Sequence, residues 1–89
     1  MRSVIGTLRE QGLLDNTVLM FTSDHGNMLG NHGLYNVGLF YESCANVPMV
    51  LVPTSAQIEL TGPGRVDDRL VAHADIMPTL LDMCNIPVP

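Results

Sequence analysis

The stretch Thr17-Val18-Leu19-Met20-Phe21-Thr22 is short, apolar almost throughout and rich in strand formers. A half-buried strand alternates apolar with polar residues, and a surface helix keeps a polar stripe. This run does neither, and it predicts a strand covered on both faces, as in a parallel sheet. Val47-Pro48-Met49-Val50-Leu51-Val52 predicts a second one. Pro48 stands near its start, where a missing N–H is tolerated. Strands of this kind need a layer on each side, which constrains the chain more than any other feature.

The layers are predicted to be helical. From Ser3 to Gly12, Val4, Ile5 and Leu8 oppose Arg9 and Glu10, with Gly12 as the stop. That helix begins so close to residue 1 that a chain continuing upstream is expected. Leu13 to Asn16 reads as a connector with turn residues. Near the other end, Asp75 is a predicted N-cap, Pro78 falls in the first turn, and Ile76, Leu80, Leu81, Met83 and Cys84 supply an apolar face through Asn85. Between the strands, Ser23 to Asn46 has no strong periodicity. Gly26, Gly30, Gly33 and Gly38 alternate with Asn27, Asn31 and Asn36. A long loop is expected there, with one helical turn near Phe40 to Cys44; loops of such length are usually functional. Pro53 to Asp68 is polar and turn-rich, tightest at Gly62-Pro63-Gly64, with a short edge strand or hairpin where Ile58 and Leu60 flank Glu59. Leu70-Val71-Ala72 suggests one more short strand. The order helix, strand, loop, strand, helix is α/β, with right-handed crossovers if the strands are parallel.

Composition narrows the function. The chain has 89 residues, is 46% hydrophobic and carries four Lys plus Arg against nine Asp plus Glu, formally −5. The cations are Arg2, Arg9, Arg65 and Arg69, with no lysine. Phosphate backbones are bound by clustered cations, so no nucleic-acid surface is expected. No run approaches the roughly 20 apolar residues of a membrane span, so no membrane partner is expected. Met1-Arg2-Ser3-Val4-Ile5-Gly6 lacks the long apolar core of a signal peptide. Cys44 and Cys84 are expected as free, buried thiols, and the compartment is left open. Mean hydropathy of +0.23 is high for so short a chain. It fits either a tight small core or a piece of a larger domain, and self-association of such a piece is expected.

Chemistry gathers at the end of the first strand, where open α/β sheets bind ligands. Asp24 and His25 sit there side by side: an anionic oxygen and a neutral imidazole that can serve one divalent cation. Gly26 is expected to let the backbone bend so that the two side chains converge. Two ligands do not complete a site. The local alternative is a turn in which Asp24 and His25 satisfy their own backbone.

Several ordered motifs surround this tip. They are Asp15-Asn16-Thr17, Ser23-Asp24-His25-Gly26, Leu29-Gly30-Asn31-His32-Gly33-Leu34-Tyr35, Tyr41-Glu42, Val47-Pro48 and Asp75-Ile76-Met77-Pro78-Thr79-Leu80-Leu81-Asp82. Together they resemble the sulfatase family of the alkaline phosphatase superfamily over about residues 4 to 86. The resemblance implies that residues 1–89 are a partial catalytic domain, the C-terminal portion of an alkaline-phosphatase-like fold, with a mostly parallel sheet and flanking helices. It implies hydrolysis of sulfate esters by a formylglycine nucleophile, assisted by a divalent cation, usually calcium, with Asp24 and His25 as metal ligands. The formylglycine motif, Cys/Ser-x-Pro/Ala-x-Arg, has no match around Cys44 or Cys84, and the family's paired aspartates are missing too. Asp67-Asp68 stands in the wrong place to replace them and is read as a solvated turn. The chain alone is expected to be inactive.

Two positions depart from the family. Its usual sulfate-contacting lysine corresponds to Val37, and the Arg or His before Val-Pro corresponds to Asn46. His32 is the candidate substrate-binding replacement, against an exposed loop histidine with no such role; His73 is read as structural. Three readings follow: part of a sulfatase, a phosphonate or phosphodiester hydrolase of the same superfamily, or a non-catalytic fragment that kept the fold.

Overall fold

Helix α1 spans Arg2–Glu10 and half-buries Ile5 and Leu8 in the computed structural model, which describes residues 2–62 and 64–89. Gly12 ends the helix as predicted. At φ +68 it lets Leu13 N–H donate to the Leu8 carbonyl (2.9 Å) and its own N–H to that of Arg9 (3.1 Å), the paired bonds of a Schellman cap. The chain then makes a 3-10 turn at Leu14–Asn16 and enters strand β1, Leu19–Thr22. Strands β2, Met28–Leu29, and β3, Tyr35–Asn36, precede the short helix α2, Glu42–Ala45. Strand β4, Met49–Val52, leads to α3, Ser55–Thr61, and α4, Ile76–Met83, follows.

The strands form two two-stranded sheets, β1 with β4 and β2 with β3. The second is antiparallel, with Met28 opposite Asn36 and Leu29 opposite Tyr35. The mostly parallel sheet predicted from the sequence is therefore not displayed. Nor are the strands covered on both faces. β4 is exposed along its length, Val50 to 52%, and Phe21 in β1 to 45%. Their apolar runs meet no layer among the described residues on the scale that such sequences require.

The chain divides into a segment 20–51 and a pair of segments, 2–19 with 52–89. In 20–51, the expected loop is largely structured. The β2–β3 hairpin fills it, and α2 begins two residues later than the predicted helical turn at Phe40. Gly30, at φ +101, turns the hairpin under the Tyr35 side chain; a Cβ there would lie 3.3 Å from the Tyr35 hydroxyl. Met28 and Cys44 are the buried hydrophobic residues of the described chain. Cys84 is exposed, which corrects the expectation of two buried thiols.

In the paired segments, α3 replaces the predicted edge strand or hairpin. Thr54 and Gln57 form a capping box: Gln57 N–H donates to Thr54 Oγ1 (3.4 Å), and Thr54 N–H donates to Gln57 Oε1 (3.0 Å). This local signal outweighs the two-residue alternation of Ile58 and Leu60. Gln57 Nε2 also donates to the Met83 carbonyl (2.8 Å), and Ser55 Oγ to Asp15 Oδ1 (3.0 Å). No strand forms at Leu70-Val71-Ala72, where Leu70 is fully exposed. Pro63, in the predicted bend, lies outside the described residues; Gly62 before it has φ +85. Asp75 occupies the N-cap position of α4, but its carboxylate accepts from Ala72 N–H (2.8 Å) instead of capping the helix. Pro78 lies in the first turn, where its missing N–H has no intrahelical acceptor. The end of α4 repeats the cap of α1 with Asn85 in place of glycine, at φ 56. Ile86 N–H bonds the Leu81 carbonyl (2.9 Å), and Asn85 N–H bonds that of Asp82 (3.0 Å).

Candidate metal-binding tip

β1 ends at Thr22, and the next residues reverse the chain through their own polar groups. Ser23 Oγ donates to the His25 carbonyl (2.9 Å) and lies 3.3 Å from Asp24 Oδ1. His25 N–H donates to the same Oδ1 (2.8 Å). That bond, first, and the charge of the His25 ring, second, hold the Asp24 carboxyl below its ordinary value of 3.8. Both causes favour the carboxylate, the form that can bind a cation.

The imidazole is also fixed. His25 Nδ1 lies 2.9 Å from the Gly26 carbonyl, which selects the tautomer protonated there and leaves a lone pair on Nε2. Nε2 then stands 3.5 Å from Asp24 Oδ2, with Asp24 82% and His25 44% exposed. Donors about 2.0–2.5 Å from one ion and roughly at right angles to it are separated by about that distance. The pair therefore fits a divalent cation, and its open position leaves room for further ligands. Among the described residues, no group of three or more His, Cys, Asp or Glu side chains gathers to hold a metal.

Gly26 serves a different purpose from the expected bend. Its φ is not positive. It is needed because α2 presses on it: an added Cβ would collide with the Ser43 carbonyl oxygen and lie 3.3 Å from Cys44 Cα. Gly26 N–H donates to the Cys44 carbonyl (2.9 Å). A glycine directly after two polar side chains was the visible signal; the element that closes on it was not.

His32 stacks on Tyr41, ring centres 4.5 Å apart and planes 21° from parallel. Beside it, Asn31 Nδ2 donates to Ser43 Oγ (3.0 Å). Asn31 and Tyr41 lay within motifs of the resemblance but were given no role there, and Ser43 lay in none. Val37 is exposed to 45%, and the Asn46 amide donates to Glu42 Oε2 (2.9 Å). Asp67 is engaged by Arg69, whose Nη2 and Nε reach its carboxylate at 2.6 and 2.8 Å; that side-chain bond is the main cause that holds the Asp67 carboxyl far below the usual range. His73 lies in the 3-10 turn His73–Asp75 before α4. No helix of the described residues is long and apolar enough to cross a membrane.

Comparison with known proteins bears on this geometry. The sulfatase family model matches residues 1–86. An arylsulfatase of Clostridium perfringens is 40% identical over 82 residues, covering 92% of this chain and 17% of that protein. Arylsulfatase K of Bos taurus is 34% identical over 86 residues, covering 97% and 15%. A choline-sulfatase of Rhizobium meliloti is 35% identical over 86 residues, covering 93% and 15%. The chain thus spans about a sixth of the length of these relatives. No solved structure matches it.

Proposed function

The chain belongs to the sulfatase family, and we propose that it contributes the Asp24–His25 part of a divalent-cation site to a catalytic domain that hydrolyses sulfate esters. Membership carries an alkaline-phosphatase-like α/β fold; the mostly parallel sheet is part of the proposal. The observation that carries the reading is the 3.5 Å separation of Asp24 Oδ2 and His25 Nε2 on an open tip beyond β1. When bound, a divalent cation, calcium in the first instance, supplies Lewis-acid stabilisation of charge on the sulfate oxygens. The chain's own residues prepare for it. The His25 N–H favours the Asp24 carboxylate, and the Gly26 carbonyl, by accepting from Nδ1–H, leaves the lone pair on Nε2. His32, close to α2 through Tyr41, remains the candidate for contact with the substrate.

No stretch of the chain matches Cys/Ser-x-Pro/Ala-x-Arg. The proposal therefore assigns the formylglycine and the remaining carboxylates to the larger part of the domain that the relatives possess. The 89-residue chain is expected to turn over no aryl sulfate and to bind Ca²⁺ weakly, with Kd on the order of 1 mM or above for so few ligands. Asp24→Ala should abolish even that, as read by NMR-followed titration. Aryl sulfate hydrolysis by the pure chain, or Ca²⁺ binding that survives Asp24→Ala, refutes the reading. Apolar surface left open, such as Val50 at 52%, supports self-association as well. A monodisperse monomer in light scattering at high concentration counts against that part.

A second reading has its own support. With Val37 where the family places lysine and the Asn46 amide engaged by Glu42, no cation of this chain serves sulfate at either position. That suits a phosphonate or phosphodiester hydrolase, or a non-catalytic relative. Turnover of aryl sulfate against aryl phosphodiester by the protein carrying this chain separates the three.

A further inference from the structure

α2 is held between two structures that sequence alone does not connect. On one side it meets the tip. Gly26 N–H bonds the Cys44 carbonyl at 2.9 Å, and Gly26 has no Cβ to keep the Ser43 carbonyl away. On the other side it meets the turn of the β2–β3 hairpin. Asn31 Nδ2 bonds Ser43 Oγ at 3.0 Å, and the His32 ring stacks on Tyr41, the N-cap residue of α2, at 4.5 Å. His32 holds that place at φ 56, ψ 22, in the left-handed region that few non-glycine residues adopt, histidine more often than most. The hairpin itself is anchored by Met28, the most buried side chain described.

We propose that Asn31 and His32 are positioning residues for the Asp24–His25 pair. Through Ser43 and Tyr41 they seat α2 on Gly26, and α2 in turn fixes the turn that sets the carboxylate and imidazole at the spacing of a shared cation. The inference rests on the proposed cation role of that pair. Outer partners that orient metal ligands alter affinity strongly, although they never touch the ion.

Two readouts on the 89-residue chain separate the brace from the cation. Hydrogen exchange of the Gly26 amide, in metal-free protein, reads the brace alone. Asn31→Ala and Tyr41→Leu should each speed it about fivefold or more, the effect of losing one net contact. Tyr41→Phe keeps the ring and should stay within about twofold of the parent, with His32→Ala behaving like Tyr41→Leu. The Ile58 amide, bonded within the cap of α3, should be unaffected throughout. An NMR-followed Ca²⁺ titration reads the pair: Asn31→Ala and Tyr41→Leu should weaken binding about threefold to tenfold, with Tyr41→Phe near the parent. The proposal is overturned if Gly26 exchange is unchanged in both Asn31→Ala and Tyr41→Leu, or if Ile58 accelerates equally. It also falls if the Gly26 amide is unprotected in the parent. A protected, variant-sensitive Gly26 in a chain that binds no Ca²⁺ upholds the brace and removes the cation reading instead.

Discussion

The segment 20–51 and the paired segments 2–19 and 52–89 are ordered by different forces. The first contains both buried hydrophobic residues described, Met28 at 1% and Cys44 at 4% exposure. The second contains no described buried side chain. Its apolar side chains, such as Ile5, Leu8, Leu80 and Leu81, are only half-buried, and two Schellman caps, a capping box and the long-range bonds Ser55–Asp15 and Gln57–Met83 add to its order. A net hydrogen bond is worth about 1 kcal/mol, whereas full burial of a methionine-sized side chain contributes about 1.5–3 kcal/mol. The difference teaches that the tip is anchored within its own segment, while the paired segments have local geometry and an apolar surface still open, Leu70 at 102% and Val66 at 91%.

The comparison breaks first at Gly26. A Cβ there meets backbone, not a flexible side chain, so nothing can yield cheaply. Gly26→Ala should destabilise the segment 20–51 by about 3 kcal/mol, at the top of the range for overpacking. Loss of exchange protection in that segment, with α3 amides unchanged, is the expected result. Equal losses in both regions would show that they melt as one. Next in size is the contrast between thiols. Cys84 is exposed and should react with a thiol reagent at once; Cys44 needs a local opening and should lag by about 100-fold. Comparable rates would mean that the core around Met28 offers no protection.

The sequence disclosed the parts of this contrast unevenly. Helix ends were legible because their causes are local: Gly12 and Asn85 close α1 and α4 through bonds spanning a few residues. The two apolar strands were legible as strands, but their cover was not, since burial depends on layers the run itself does not encode. α3 was missed because the Ile58/Leu60 alternation was taken as the signal, while the Thr54…Gln57 capping box went unread. At the site, Asp24 and His25 were visible as a candidate ligand pair. The brace of Asn31, Tyr41 and Ser43 was not, because it unites residues far apart in sequence through a stack and one side-chain bond.

Caps are the next, smaller test. If the paired segments owe their order to such bonds, Thr54→Ala should cost about 1 kcal/mol, typical of a lost N-cap. The same change should leave Cys44 labelling untouched. Urea unfolding followed by helical circular dichroism measures the first, and thiol kinetics the second. A change in Cys44 reactivity would sharpen the picture in the other direction, by coupling the two regions.

The smallest effect expected separates two exposed aspartates, one from each region. Asp24 and Asp67 both have carboxyls held below 3.8, for different reasons. For Asp24 the largest cause is the backbone N–H of His25; for Asp67 it is the side chain of Arg69. Each folded carboxyl binds its proton less readily than the unfolded one, so each contributes stability that is present above about pH 3.8 and is lost as the pH falls below it, through the folded pKa. Both lie in solvent and are screened by salt, so the change in stability is small, but carboxyl ¹³C titration resolves it residue by residue. Arg69→Gln should raise the Asp67 midpoint clearly but not fully, because it removes the largest cause and keeps the residue-69 N–H that donates to Asp67 Oδ1. His25→Gln should move that of Asp24 only slightly, because the substituted residue keeps the N–H that matters most. A full return of Asp24 to 3.8 in His25→Gln would transfer its depression from the backbone N–H to the ring.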